Sequence, residues 1–197
     1  MRVVIFNYGA GNLFSIQAAL KKEGTMPTIA KTGSKIEAAD ALVLPGVGSF
    51  DQAANVLPME GIRDAVRSGK PILGICLGLQ LFFARSEEGS AQGFSFFAGC
   101  VRKLPSSVKV PQIGWNTLNL EREDELVEGL PKDPWVYYVN SYHPETDGRW
   151  VVATSQYGVR FPCVVAEKNI YGTQFHPEKS GSAGKTILQN FLRAVKK

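Results

Sequence analysis

The decapeptide Pro71-Ile72-Leu73-Gly74-Ile75-Cys76-Leu77-Gly78-Leu79-Gln80 constrains this chain more than any other stretch. A short apolar run enters Gly-x-Cys-x-Gly, and a helix-like pattern leaves it. A residue mounted on such a strand-to-helix elbow takes a strained backbone conformation, and its neighbours two residues either side must be small. Gly74 and Gly78 hold those two places. A thiol there sits at a helix N-terminus, where the dipole and free N–H groups favour the thiolate. An isolated cysteine is ordinarily a buried structural residue. One bracketed by both glycines, with a strand before it and a helix after, reads as a nucleophile.

The strand–helix alternation extends outward from the elbow. Residues 3–6 read as a buried strand, followed by the glycine-rich turn Gly9-Ala10-Gly11-Asn12. Leu13, Ile16 and Leu20 follow at helical spacing, with Gly24 as the C-cap. Residues 27–30 and 41–44 read as strands, the latter running into Pro45-Gly46-Val47-Gly48. A helix is expected over about 61–67, a strand over 71–75 and a helix over 77–84. This order predicts a mostly parallel sheet flanked by helices, an α/β fold. Beyond about residue 93 the pattern changes. Strand-like runs at 94–97, 101–104, 113–118, 135–139, 150–155, 163–167 and 170–175 are separated by Pro, Gly, Asn and Asp. That half is expected to add antiparallel strands to the sheet or to form a second one. A helix over about 183–195 closes the chain, with Ile187, Leu188, Phe191, Leu192 and Val195 as its apolar stripe. With no internal repeat or linker, residues 1–197 are expected to form one domain.

Composition narrows the chemistry. Three widely spaced cysteines and two histidines make neither a disulfide framework nor a zinc site, so no metal is expected. The net charge of +4 comes from scattered basic residues, which argues against nucleic acid as a partner. No apolar run approaches the roughly 20 residues of a membrane span. The opening Met1-Arg2-Val3-Val4-Ile5-Phe6-Asn7 is too short and strand-like for a signal peptide, so the expected compartment is the cytoplasm.

A nucleophilic thiol needs a base, and the base needs an orienting group. His143 and His176 are the candidates, and both sit in His-Pro-Glu after a strand-like run. The motif alone does not choose between them. Context favours His176, which follows Tyr171-Gly172-Thr173-Gln174-Phe175 at a strand's C-terminal end, the side where open α/β sheets bind ligands. His143 is followed instead by Asp147-Gly148, a hairpin-like turn of the kind that faces water. Acyl transfer also needs oxyanion donors. The N–H of Leu77 is one by the geometry of the elbow, and Pro45-Gly46-Val47-Gly48 ends a neighbouring strand whose glycines let a backbone N–H come close.

These residues resemble the class I (triad) glutamine amidotransferases and, among them, the glutaminase subunits of imidazole glycerol phosphate synthases. The similarity runs through Asn7-Tyr8-Gly9-Ala10-Gly11-Asn12-Leu13, Pro45-Gly46-Val47-Gly48-Ser49-Phe50, the elbow, Ile113-Gly114-Trp115-Asn116, Val139-Asn140-Ser141-Tyr142 and Gly172 to Ser180. It implies a flavodoxin-like fold and hydrolysis of glutamine to glutamate and ammonia through a cysteinyl thioester. It implies a triad of Cys76, His176 and Glu178, and an oxyanion hole from Leu77 and the Val47/Gly48 segment. Gly48, Gln80, Glu88, Ser141 and Tyr142 are the implied glutamine-binding residues, Glu88 being the charge partner for the substrate ammonium. No cofactor is implied: Gly9-x-Gly11 is not completed as a dinucleotide fingerprint, since Phe14 fills the third place. The implied partner is a cyclase subunit with a (β/α)8 barrel, forming a heterodimer through a face that includes Asn12, Trp115 and Lys179. Against a branch serving vitamin B6 synthesis stands Gly46-Val47-Gly48, where that branch carries a Gly-Gly-Glu-type loop.

Overall fold

A computed structural model describes residues 1–9, 13–31, 33–46 and 48–196, with Ser34 as backbone only. The chain runs β1 (Arg2–Phe6), α1 (Leu13–Lys22), β2 (Met26–Ala30), β3 (Ala41–Leu44), α2 (Phe50–Val56), α3 (Met59–Arg67), β4 (Ile72–Ile75) and α4 (Leu77–Gln80). It continues with β5 (Cys100–Lys103), β6 (Gln112–Thr117), β7 (Asn119–Leu120), β8 (Trp135–Asn140) and β9 (Tyr142–Glu145). β10 (Val151–Tyr157), β11 (Val159–Glu167), β12 (Ile170–Thr173) and α5 (Gly181–Ala194) complete it.

Eight strands form one sheet in the order β2-β1-β3-β4-β12-β11-β10-β7. β2, β1, β3, β4 and β12 are parallel, and β11, β10 and β7 extend the edge in antiparallel fashion. β3 and β4 are buried on every residue, as strands covered on both faces must be. The pleat sends alternate side chains to opposite layers. Val3 and Ile5 of β1 join a core with Ile16 and Leu20 of α1 and with Ile187 and Phe191 of α5. Val4 and Phe6 join a second core with Phe50 of α2 and Ile62 of α3. Two antiparallel ribbons, β5/β9 and β6/β8, stand apart from the main sheet.

Two expectations of the fold needed revision, and one helix, α2, was not foreseen. Residues 94–97 form no strand: Ser95 has φ +59°, and Phe94 and Phe96 instead stack at 4.9 Å. Their apolar content reflects packing onto Phe82, not strand pairing. α4 is shorter than 77–84, because Phe82 N–H donates to Leu79 O and Phe83 N–H to Gln80 O in tightened turns. α2 had no strong local signal. The side chain of its N-cap residue, Ser49, makes no capping bond, and the Phe50 N–H donates to the Glu88 carboxylate at 2.9 Å. An anion at a helix N-terminus is favourable wherever it comes from in the chain.

Candidate active site

The elbow closes by direct backbone contact. A Cβ on Gly78 would lie 2.0 Å from Leu44 O, and one on Gly46 would lie 1.9 Å from Ile75 O. Between them Cys76 is held at φ 52°, ψ −104°, in a left-handed conformation that L-residues rarely adopt. The loop after β3 is thereby pressed against the turn that carries the thiol. Cys76 N–H donates to Thr173 O at 2.7 Å, extending the β4–β12 pairing one step beyond Ile75↔Thr173. Three residues past that carbonyl stands His176.

His176 is 2% exposed, and its backbone N–H donates to Tyr137 O at 2.9 Å. Pro177 opens a single 3-10 turn, Pro177–Lys179, which carries Glu178 back beneath the ring. His176 Nδ1 meets Glu178 Oε1 at 2.9 Å, both side chains almost fully buried. Nε2 is therefore the nitrogen left for the thiol. Burial works against the imidazolium, but the Cys76 and Glu178 side chains, by hydrogen bonding and charge, outweigh it and raise the His176 pKa. Nε2 has no partner at full hydrogen-bond geometry in the resting site. Such contacts tighten when a substrate arrives. On its other sides Cys76 Sγ accepts from Gln174 Nε2 at 3.5 Å and donates to Val139 O at 3.6 Å.

A cavity of about 230 Å³ opens over the sulfur. Gly48, Leu77, Gln80, Glu88, Ser141 and Tyr142 line it together with Cys76, Pro111, Val139 and Asn140. Gly48 has φ +138°, a conformation that favours glycine. Gln80 uses both amide hydrogens internally, on Tyr142 O at 3.0 Å and Gln174 Oε1 at 3.1 Å. It can therefore offer a ligand only its carbonyl oxygen. Glu88 is fixed at the wall by its bond to Phe50 N–H, which leaves a negative charge facing the cavity. Val47 and Asn12 lie outside the described residues. A larger surface hollow of about 770 Å³ runs along residues 120–130, but its lining includes neither cysteine nor histidine.

His143 lies elsewhere, on β9, not at a water-facing turn. It is 5% exposed, its ring packs on Phe161 at 5.3 Å, and its Nδ1 contacts Pro144 O at 2.9 Å. Burial lowers its pKa. Trp115 and Lys179 meet through Tyr137: the two rings are 5.8 Å apart, and Lys179 Nζ sits 5.8 Å from the Tyr137 ring centre. Gln174 and Val139 also meet the sulfur, and neither was singled out in the sequence. Gln174 had a signal in its place two residues before His176. Val139 acts through its carbonyl, which no side-chain pattern reveals. Among the described residues no group of three or more His, Cys, Asp or Glu is arranged to hold a metal ion.

Comparison with known proteins places the chain in a family. The family model of the class-I glutamine amidotransferases matches residues 4–195. The chain is 45% identical to the imidazole glycerol phosphate synthase subunit HisH of Archaeoglobus fulgidus, covering 99% of this chain and 100% of that protein. It is 45% identical to the HisH of Methanosarcina barkeri (97% and 98% covered) and 42% identical to that of Bacillus cereus (98% and 95% covered). PurLQS from Thermotoga maritima shares the fold at a TM-score of 0.80 with 21% identity, over 98% of this chain and 97% of that one. A Thermotoga maritima glutamine amidotransferase does so at 0.73 with 15% identity, over 100% and 99%. With its mostly parallel sheet, its added antiparallel strands and a match over nearly its whole length, the chain belongs to the class-I glutamine amidotransferase family.

Proposed function

We propose that this chain, folded as one domain over residues 1–197, is a glutaminase that serves as a subunit of an imidazole glycerol phosphate synthase in histidine biosynthesis. The observation that carries the reading is Cys76 at φ 52° beside the buried His176–Glu178 pair, at the floor of a cavity of about 230 Å³. That volume suits one amino acid and little more.

The reaction follows from the groups present. His176 Nε2 takes the thiol proton, and Glu178 at Nδ1 fixes the tautomer and stabilises the imidazolium. The sulfur adds to the side-chain amide carbon of glutamine. The N–H of Leu77, with the Val47/Gly48 segment, holds the oxyanion. The intermediate collapses as its C–N bond breaks and the imidazolium proton passes to the departing ammonia. A water molecule then gives its proton to neutral His176 and attacks the thioester, releasing glutamate and restoring the thiol. Glu88 holds the substrate ammonium, and the Gln80 carbonyl oxygen accepts from a substrate N–H, with Gly48, Ser141 and Tyr142 completing the pocket.

Released ammonia needs a partner to receive it. The face of β6 and β8 that carries Ile113 (63% exposed), Trp115 (53%) and Trp135 (60%) is more apolar than a monomer's surface requires. Ile113 and Trp115 pair with Val139 and Tyr137, and Val139 also lines the cavity, so this face borders the site. We assign it, with Lys179 and Asn12, to docking of a (β/α)8-barrel cyclase in a one-to-one pair. No helix among the described residues is long and apolar enough to cross a membrane, and the proposed compartment is the cytoplasm.

The test is glutamate release from glutamine, measured with and without the cyclase. Cys76→Ser is expected to abolish release while the fold and cyclase binding persist. Full activity in that variant overturns the reading, and hydrolysis of peptides in place of glutamine turns it into a peptidase.

A further inference from the structure

The side-chain amide of Gln174 touches the nucleophile and belongs to none of the roles above. Gln174 is 0% exposed, just beyond β12, with Nε2 at 3.5 Å from Cys76 Sγ. Its Oε1 accepts from Gln80 Nε2 at 3.1 Å, and the same Gln80 nitrogen donates to Tyr142 O at 3.0 Å. Which end of a side-chain amide is nitrogen is settled by its partners, and here the far end of the chain settles it. A backbone carbonyl only accepts, so the Gln80 atom facing Tyr142 O is the NH2 group. Its second hydrogen needs an acceptor, so the Gln174 atom it meets is oxygen. The other end of Gln174 is then NH2, which only donates. Asn140 Nδ2 also donates to Tyr142 O at 3.0 Å, so both lone pairs of the anchoring carbonyl are filled.

We infer that Gln174 is an electrostatic partner of the nucleophile, a pinned amide donor that stabilises the Cys76 sulfur anion, with Gln80 as its positioning residue. The sulfur lies between one acceptor, Val139 O, and one donor, Gln174 Nε2. Loss of the thiol proton forfeits the first contact and strengthens the second, because hydrogen bonds to an ionised partner are about twice as strong as neutral ones. In the glutaminase reading, which this deepens, the donor acts twice: when the thiolate forms, and when it leaves the second tetrahedral intermediate. Gln80 is then part of the nucleophile's support as well as of the pocket wall.

Among the described residues, the titratable groups facing the sulfur or its cavity are His176, backed by Glu178; Tyr8, whose hydroxyl is kept protonated by burial first and the Cys76 charge second; and Glu88 and Tyr142 on the same cavity. None is altered by the variants that follow, so a change in thiol reactivity reports on the amide. Gln174→Met keeps the volume and removes the donor. Gln174→Glu still accepts from Gln80 but turns a carboxylate toward the sulfur. Gln80→Met leaves Gln174 in place and removes its pin. The measurement is the rate of Cys76 alkylation by iodoacetamide as a function of pH, with kcat and KM for glutamine determined in the cyclase complex. Gln174→Met is expected to slow alkylation about tenfold at neutral pH, with the profile displaced to higher pH. Gln174→Glu is expected to slow it further, and Gln80→Met less. The kcat of Gln174→Met falls by a similar factor while KM stays near the wild-type value. A folded Gln174→Met with the wild-type alkylation profile overturns the inference and makes Gln174 a packing residue. If Gln174→Met does not fold, Gln80→Met decides, since a merely structural Gln174 predicts no change from the far end of the chain. A wild-type protein inert toward glutamine, with the alkylation effects intact, removes the glutaminase reading and leaves this one standing.

Discussion

The tripeptide His-Pro-Glu occurs at 143–145 and again at 176–178, each time after a strand-like run. In the first copy the chain stays extended as β9, with His143 opposite Arg102 and Glu145 opposite Cys100. Residues two apart on a strand are separated by about 6.6–7 Å along it, and Glu145 finds its partner across the ribbon, in Arg102 at 2.8 Å. The His143 imidazole turns inward onto Phe161, and its burial outweighs the Pro144 carbonyl contact and the Glu145 and Glu87 charges, so its pKa falls. In the second copy the backbone coils into a 3-10 turn, which rises only about 2 Å per residue. Glu178 returns to the ring, and the His176 pKa rises despite burial. The same three residues make a structural histidine in one backbone and an acid–base pair in the other. What separates them is local conformation and the neighbour each strand end faces.

The sharpest way to break this contrast is to delete each ring in turn. His176→Ala is expected to lower kcat for glutamine hydrolysis by at least about a hundredfold. His143→Ala should leave kcat within about twofold and instead cost about 1–3 kcal/mol of stability in urea unfolding, from the lost buried contacts. Equal losses of kcat would erase the distinction. The acids come next. Glu178→Gln is expected to reduce kcat by a factor at least about tenfold smaller than His176→Ala does, because an orienting acid contributes less than the base it orients. Glu145→Gln, at the surface, should move neither rate nor melting temperature, and any large effect on rate would place the first tripeptide in the chemistry.

The smallest effect is on the pH dependence of stability, where the two histidines act with opposite sign. The folded-state pKa of His176 is raised, so its contribution is full below the unfolded value near 6.5 and is lost as pH rises through the folded value. The folded-state pKa of His143 is lowered, so the unfolded chain binds the proton first and stability falls as pH drops below about 6.5. Unfolding midpoints measured across pH should therefore lose part of their alkaline decline in His176→Ala and part of their acid decline in His143→Ala. The reverse assignment would show that the burial of one ring has been misread.

Much of the parallel half was legible because its signals are local. β1, β3 and β4 are short apolar runs ended by glycine turns, and α5 carries a helical stripe. The elbow was legible for the same reason: sterics alone require small residues on both sides of Cys76. The later half was harder. β9 and the irregular segment 94–97 both contain apolar or aromatic residues, and only pairing tells them apart: β9 has β5 beside it, whereas Phe94 and Phe96 have each other and Phe82. α2 depends on a carboxylate 38 residues away.

The sequence by itself determined that Cys76 sits on a strand-to-helix elbow, that a mostly parallel sheet surrounds it, and that two histidines are candidates to serve it; strand-end context and family resemblance together pointed to His176. Periodicity and the steric need for glycine act over a few residues, so one dimension is enough to read them. The tertiary structure decided that β12 lies beside β4, which carries His176 to the thiol and leaves His143 on a separate ribbon. It also decided that an amide 98 positions along the chain from the sulfur becomes its hydrogen-bond donor, through a polarity fixed by a carbonyl on yet another segment. Those contacts depend on strand pairing and on which buried polar groups must satisfy one another, and neither exists until the chain has folded.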